Sequence, residues 1–272
     1  MATSEQQINC SKKQATMTEN ANPNVTYKTE GRIGTIEFYH PKGNSLPGSI
    51  LTKLTETIRE AGTNGDIHAI VMKSGGDGAF CAGASFDELT AISTEDEGKE
   101  FFMGFANVIN AMRTCPKMII TRVHGKTVGG GIGIIAASDF AVAQDNASVR
   151  LSELSLGIGP FVVGPAVGRK LGTSAFSTLA LDAKTWYDAQ WALDNGLYNK
   201  LVSNTEELDK AVEEISQNLA SSNLNALTHF KDIIWQGTGH WHATLEQRAE
   251  ISGRLVLSEF TKKTIANFKN KS

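Results

Sequence analysis

Thr127-Val128-Gly129-Gly130-Gly131-Ile132-Gly133 sets four glycines in seven residues, after an apolar segment, Met118-Ile119-Ile120-Thr121-Arg122-Val123, and before a small-residue stretch over 134–140. The first flank reads as a buried strand and the second as a helix. Glycine loses the most backbone entropy on ordering, so such a cluster at a strand-to-helix junction needs a steric reason. The reason inferred is close approach of a ligand to backbone N–H groups at a helix N-terminus, where they point outward and the dipole favours negative charge. A phosphate and an enolate both fit that description.

Strand and helix patterns alternate on both sides of this run. Residues 25–29 and 34–39 read as two strands around a turn at Glu30-Gly31-Arg32, followed by a helix over 49–61 with Ile50, Leu51, Leu54 and Ile58 on one face. A buried strand over 68–73 ends at the turn residues Ser74-Gly75-Gly76-Asp77-Gly78. Residues 90–98 read as a mobile loop before a helix over 99–112, and 140–143 as a strand. Past residue 160 the pattern is helical throughout, over 172–181, 187–195, 205–220, 224–235 and 244–264. The fold class expected is α/β, with an alternating core over 25–200 and a helical C-terminal region over 201–272 that serves assembly.

Composition restricts the function classes. The chain has 272 residues, 40% of them hydrophobic and 20% charged, and a net charge of −3. That balance gives no electrostatic footprint for nucleic acid, and no apolar run approaches a membrane span. Three dispersed cysteines, Cys10, Cys81 and Cys115, form neither a metal set nor a disulfide framework, which suits a reduced, cytoplasmic setting. Residues 1–24 are polar, carry no signal-peptide pattern and read as a disordered tail.

A second glycine-bearing loop, Gly78-Ala79-Phe80-Cys81-Ala82-Gly83-Ala84, also follows a buried strand. If the two strands are neighbours, one N–H from each loop converges on a single oxygen, which is the arrangement of an oxyanion hole. The two loops, followed by Ser152-Glu153-Leu154-Ser155-Leu156-Gly157-Ile158, resemble the signature segments of the crotonase superfamily, the enoyl-CoA hydratase/isomerase family. The likeness extends upstream to His40-Pro41-Lys42-Gly43-Asn44-Ser45-Leu46 and covers roughly residues 25–270.

The resemblance implies a spiral of repeated ββα units whose C-terminal helices build homotrimers or hexamers. It also implies an acyl-CoA thioester substrate, with coenzyme A part of that substrate and no metal or redox cofactor. The Ala84 and Gly130 N–H groups would hold the thioester oxygen, and Glu153 would be catalytic. Ala82, Gly83, Gly129 and Phe161 would contact substrate, with Phe101, Phe102 and Phe105 as candidate walls of the acyl tunnel. Lys42, together with Lys269 or Lys271, is a candidate for the CoA phosphates.

The departures from the family pattern decide between reactions. The family's first catalytic glutamate falls at Gly133, so two-carboxylate hydration lacks one of its groups, whereas a lone carboxylate facing an apolar pocket can move a proton between carbons. Leu156-Gly157-Ile158-Gly159-Pro160-Phe161 resembles the isomerases' version of its loop, and enoyl-CoA isomerisation is favoured. A one-glutamate hydratase or hydratase-lyase and a non-catalytic acyl-CoA binder are the alternatives. Ser85 stands where many members carry Asp, and Asp87 or Glu88 are candidate replacement acids, while Asp139 reads as a structural partner. Gly131-Ile132-Gly133-Ile134-Ile135-Ala136 also fits a dinucleotide fingerprint, but the acidic residue expected about 20 positions on is missing from the next strand. His240-Trp241-His242 has no accompanying ligand cluster and reads as a structural turn rather than a metal site.

Overall fold

The computed structural model describes residues 22–269. Strands β1 (Asn24–Glu30) and β2 (Ile33–Tyr39) form an antiparallel hairpin, closed by the pair Glu30↔Ile33. Then β3 (Ala69–Ser74), β4 (Met118–Val123), β6 (Phe140–Gln144) and β9 (Lys200–Val202) add in parallel, giving a six-stranded sheet in the order β1-β2-β3-β4-β6-β9. Its central strands are almost continuous apolar runs because both faces are covered. One face packs Ile70, Met72 and Ile119 against α1 (Gly48–Thr63) and α3 (Glu95–Thr114), through Leu51, Leu54 and Ile58 of α1 and Val108, Ile109 and Met112 of α3. The alternate residues Ala69, Val71, Ile120 and Val142 meet Leu208, Ala211 and Val212 of α8 (Thr205–Ser221) on the other face.

A second sheet is small and carries the site. Strand β5 (Thr127–Val128) pairs in parallel with β7 (Ser148–Arg150), and β7 pairs antiparallel with β8 (Tyr187–Asp188). The two sheets wrapped by helices, with a helical C-terminal region, form the spiral of ββα units that the resemblance implied.

Several expectations are corrected. Helix α4 runs over Gly130–Ala137 rather than 134–140, so three glycines of the run, Gly130, Gly131 and Gly133, lie in its first turn and Phe140 opens β6. Strands do occur beyond residue 160, because two- and three-residue strands such as β8 and β9 are too short to show a period. Helix α6 (Gly164–Leu181) starts well before residue 172, and Gly172 interrupts it with φ 75°. The expected helix over 187–195 is β8 followed by α7 (Ala189–Asp194).

At the C-terminus, α9 (Leu224–Ile234) forms as read, but the segment over 244–264 divides into α10 (Trp241–Val256) and α11 (Glu259–Lys269). Ser258 supplies the break, its Oγ accepting the Thr261 N–H at 3.3 Å. The 90–98 stretch is structured rather than a loop: α2 (Phe86–Ala91) ends in it, and Thr94 and Glu97 form a capping box that starts α3. The tail reading lies outside the described residues up to position 21, and Asn24 belongs to β1. No described helix is long and apolar enough to cross a membrane.

Candidate active site

The two glycine-bearing loops are stitched together by backbone hydrogen bonds. Val128 N–H donates to the Cys81 carbonyl at 2.9 Å and Cys81 N–H to the Lys126 carbonyl at 3.3 Å. On its other side the first loop pairs with the upstream segment, where Leu46 N–H donates to Gly83 O at 2.8 Å and Ser85 N–H to Leu46 O at 3.2 Å. That pattern engages the neighbours of Ala84 and leaves its own N–H without an acceptor among the described residues. Gly130 N–H, in the first turn of α4, likewise has none. Asn44 holds the first of the two loops: it adopts φ 57°, and its buried amide donates to the Gly75 and Ala79 carbonyls, both at 2.9 Å.

Strand β7 brings the third segment in. The Gly129 N–H donates to the Arg150 carbonyl at 3.1 Å, and the short helix α5 (Glu153–Leu156) follows directly. Glu153 is half-buried as a residue, yet its Oε2 is shut off from solvent and has no hydrogen-bond partner among the described residues. Burial pushes its carboxyl up to about 7, opposed in part by a hydrogen bond with its own backbone. A carboxyl poised there exchanges protons readily near neutrality.

These groups face a cavity of about 590 Å³. Ala82, Gly83, Ala84, Gly129, Gly130, Glu153 and Phe161 all line it, as do Phe101, Phe102 and Phe105 from α3. Lys42 does not: it lies exposed on the surface, paired with Asp87. Lys269 closes α11, and Lys271 lies outside the described residues. Sequence reasoning missed Arg150, Ser152, Ser155 and Lys184, which also line the cavity. The β7 strand that places Arg150 spans three residues and leaves no pattern to read.

Residues 28–272 match the family model described as enoyl-CoA hydratase/isomerase. The chain belongs to that family. Among its relatives, the short-chain-enoyl-CoA hydratase of Clostridium acetobutylicum is 29% identical over 216 residues, 79% of this chain and 82% of the relative. The peroxisomal Delta(3,5)-Delta(2,4)-dienoyl-CoA isomerase of Arabidopsis thaliana is 26% identical over 206 residues, 70% of this chain and 72% of the relative. The crystal structure of an enoyl-CoA hydratase from Bacillus halodurans shares the fold, with a TM-score of 0.83 at 22% identity over 89% of this chain and 99% of that one. Family membership carries acyl-CoA hydratase/isomerase-type enzyme chemistry as the activity class.

Within that family frame, Gly133 is walled in. A Cβ on it would stand 2.6 Å from Val163 Cγ1 and 3.3 Å from Ile109 Cδ1, so even a methyl group has no room. The other acids are engaged elsewhere. Glu88 Oε2 accepts the Gly48 N–H at 2.8 Å and caps α1, while Ser85 caps α2 by accepting the Glu88 N–H. Asp139 is buried under Lys231, Trp235 Nε1 and the Ile119 N–H, a structural partner as read. His240 and His242 are exposed around the start of α10, and among the described residues no His, Cys, Asp or Glu group of three or more is placed to hold a metal. Cys81 and Cys115 are free and buried.

Proposed function

We propose that the protein is an enoyl-CoA isomerase in which Glu153 is the single base. In the reaction, Glu153 takes a proton from C2 of a 3-enoyl-CoA, and the electron pair of the broken C–H bond delocalises onto the thioester oxygen. The Ala84 and Gly130 N–H groups meet that charge, Gly130 with the positive end of the α4 dipole behind it. The proton then returns to C4, the double bond comes to rest between C2 and C3, and no water is consumed.

One observation carries this reading over hydration. Glu153 is the sole carboxylate among the described residues that line the cavity, and the position of a second is the sealed Gly133. Hydration asks for one group to activate water and another to manage the α-proton. The same reading places the CoA nucleotide on the solvent-facing loop that bears Lys42. It also brings the family's assembly as a trimer or pair of trimers, consistent with exposed Leu181, Phe230, Ile233 and Phe260.

Incubation with matched 3-enoyl- and 2-enoyl-CoA thioesters tests the reaction. Formation of conjugation absorbance from the 3-enoyl substrate, lost in Glu153→Gln, is expected. Loss of absorbance from the 2-enoyl substrate at a comparable rate would instead identify a one-glutamate hydratase. Binding of both with neither change would identify a non-catalytic acyl-CoA binder.

A further inference from the structure

Arg150 lines the cavity with a cation that the proton transfer does not use. Its Nε is sealed from solvent and has no hydrogen-bond partner among the described residues. Its guanidinium carbon lies 4.6 Å from the centroid of the Trp186 ring, and Lys126 Nζ lies 5.3 Å from the same centroid. Lys184, two residues before Trp186, lines the cavity as well. Two basic residues, Arg150 and Lys126, therefore share one indole, and Arg150 and Lys184 line the cavity that holds Glu153.

Cations collected on one ring repel each other, and an anion between them removes that cost. Elsewhere in the fold, carboxylates meet this need: Glu37 for Lys73, Glu246 and Glu250 for Lys99, Asp209 for Arg122 and Asp139 for Lys231. Among the described residues, none of Arg150, Lys126 and Lys184 forms such a pair. Glu153, the carboxylate in the cavity lining, forms no ion pair with any of them, and its Oε2 has no hydrogen-bond partner among the described residues.

We propose that this cluster receives a carboxylate on the acyl group, so that the substrate is a CoA monothioester of a dicarboxylic acid. The inference rests on reading Ala84, Gly130 and Glu153 as the thioester end of the site. Arg150 is anchored there, one hydrogen bond from Gly129 and three residues before Glu153. The CoA phosphates are separated from the thioester by the whole pantetheine arm, longer than an arginine side chain. A carboxylate a few carbons along the acyl chain matches the reach. The apolar wall of Phe101, Phe102, Phe105 and Phe161 takes the carbon chain, while the cations take its end.

Calorimetric titration of glutaryl-CoA, its monomethyl ester and free CoA tests the proposal, using the wild type, Arg150→Gln, Arg150→Lys, Lys184→Gln and Glu153→Gln. The wild type is expected to bind the free acid at least about tenfold tighter than the ester, the scale of one charge-assisted contact. Arg150→Gln brings that ratio close to one, Arg150→Lys retains part of it, and the exposed Lys184→Gln lowers it to a smaller extent. A wild-type ratio near one overturns the proposal. Equal weakening of acid, ester and free CoA by Arg150→Gln also overturns it and assigns the cation to the CoA phosphates. The isomerase reading fails separately: absence of α-proton exchange with every thioester defeats it, whereas the acid-to-ester ratio, expected to persist in Glu153→Gln, is read from binding alone.

Discussion

Glu153 Oε1 lies 2.9 Å from the point where a Cβ on Gly129 would stand. Gly129 holds φ 53° and ψ −119° and immediately precedes Gly130, so one backbone position sets the proposed base and the proposed neighbouring donor against each other. Alanine there collides with the carboxylate and takes a strained backbone conformation. A displacement near 1 Å at a reacting centre costs about 10²-fold in rate. Gly129→Ala is expected to lose about that much α-proton exchange, measured by deuterium incorporation, with a much smaller change in affinity for CoA. Wild-type exchange in this variant would mean that Glu153 is not the base.

On the proposed mechanism, the acidity of Glu153 fixes the pH profile. Burial raises its carboxyl from the ordinary 4.5 to about 7, and proton abstraction requires the ionised form. The exchange rate is therefore expected to rise through about pH 7 and level off above it, and this inflection disappears in Glu153→Gln. Stability runs in the opposite direction. The folded state holds this proton more tightly than the unfolded chain, so its contribution is complete below pH 4.5 and is lost as pH climbs to about 7. Glu153→Gln should raise the urea midpoint at pH 8 and change it less at pH 4.5. An unchanged pH 8 midpoint would contradict a buried, ionised carboxylate.

Much of this site is legible in the sequence because its parts are local. The glycine run, the loop ending at Ala84 and the segment around Glu153 each sit beside a strand whose apolar pattern is plain, and the three come together as expected. The oligomer-building role expected for 201–272 has no such local mark and stays with the proposal. What sequence could not show is what arises from pairing across the fold. Arg150 reaches the cavity through β7, whose register against β5 rests on two residue pairs, Thr127↔Val149 and Val128↔Arg150, and no period reveals that. Val163 fills the space beside Gly133 from a turn 30 residues away along the chain, so an absent side chain could be read but not the plug in its place.

The ion pair beneath the sheet is a separate point of dependence. Lys231 Nζ and Asp139 Oδ2 lie 2.8 Å apart with side chains only 3% and 5% exposed, tying α9 to the loop between α4 and β6. Removing one partner of a buried pair strands the other charge, at a cost of about 3–5 kcal/mol. Lys231→Met is expected to lower the unfolding free energy by about that amount in urea denaturation. Adding Asp139→Asn should recover part of the loss, since the stranded charge is then gone. A double variant less stable than the single one would show that Asp139 serves mainly through Trp235 and the Ile119 N–H, its other two partners.

Gly133 offers the sharpest separation of the two reactions. Its missing side chain is replaced by the packing of Val163 Cγ1 and Ile109 Cδ1, so Gly133→Ala overpacks the core and should cost about 1–3 kcal/mol in urea denaturation. Gly133→Glu supplies the residue type that the resemblance implies at this position, yet a carboxylate at 133 has to displace Val163 before it reaches the cavity. The single variant is expected to be less stable and to add no water to a 2-enoyl-CoA. Trimming the plug in Gly133→Glu/Val163→Ala removes the closest contact and should recover part of that stability. Water addition appearing in the double variant alone would identify Val163 as the residue that closes off two-carboxylate chemistry. Water addition by the single variant would show instead that the core yields, and that glycine at 133 by itself sets the reaction.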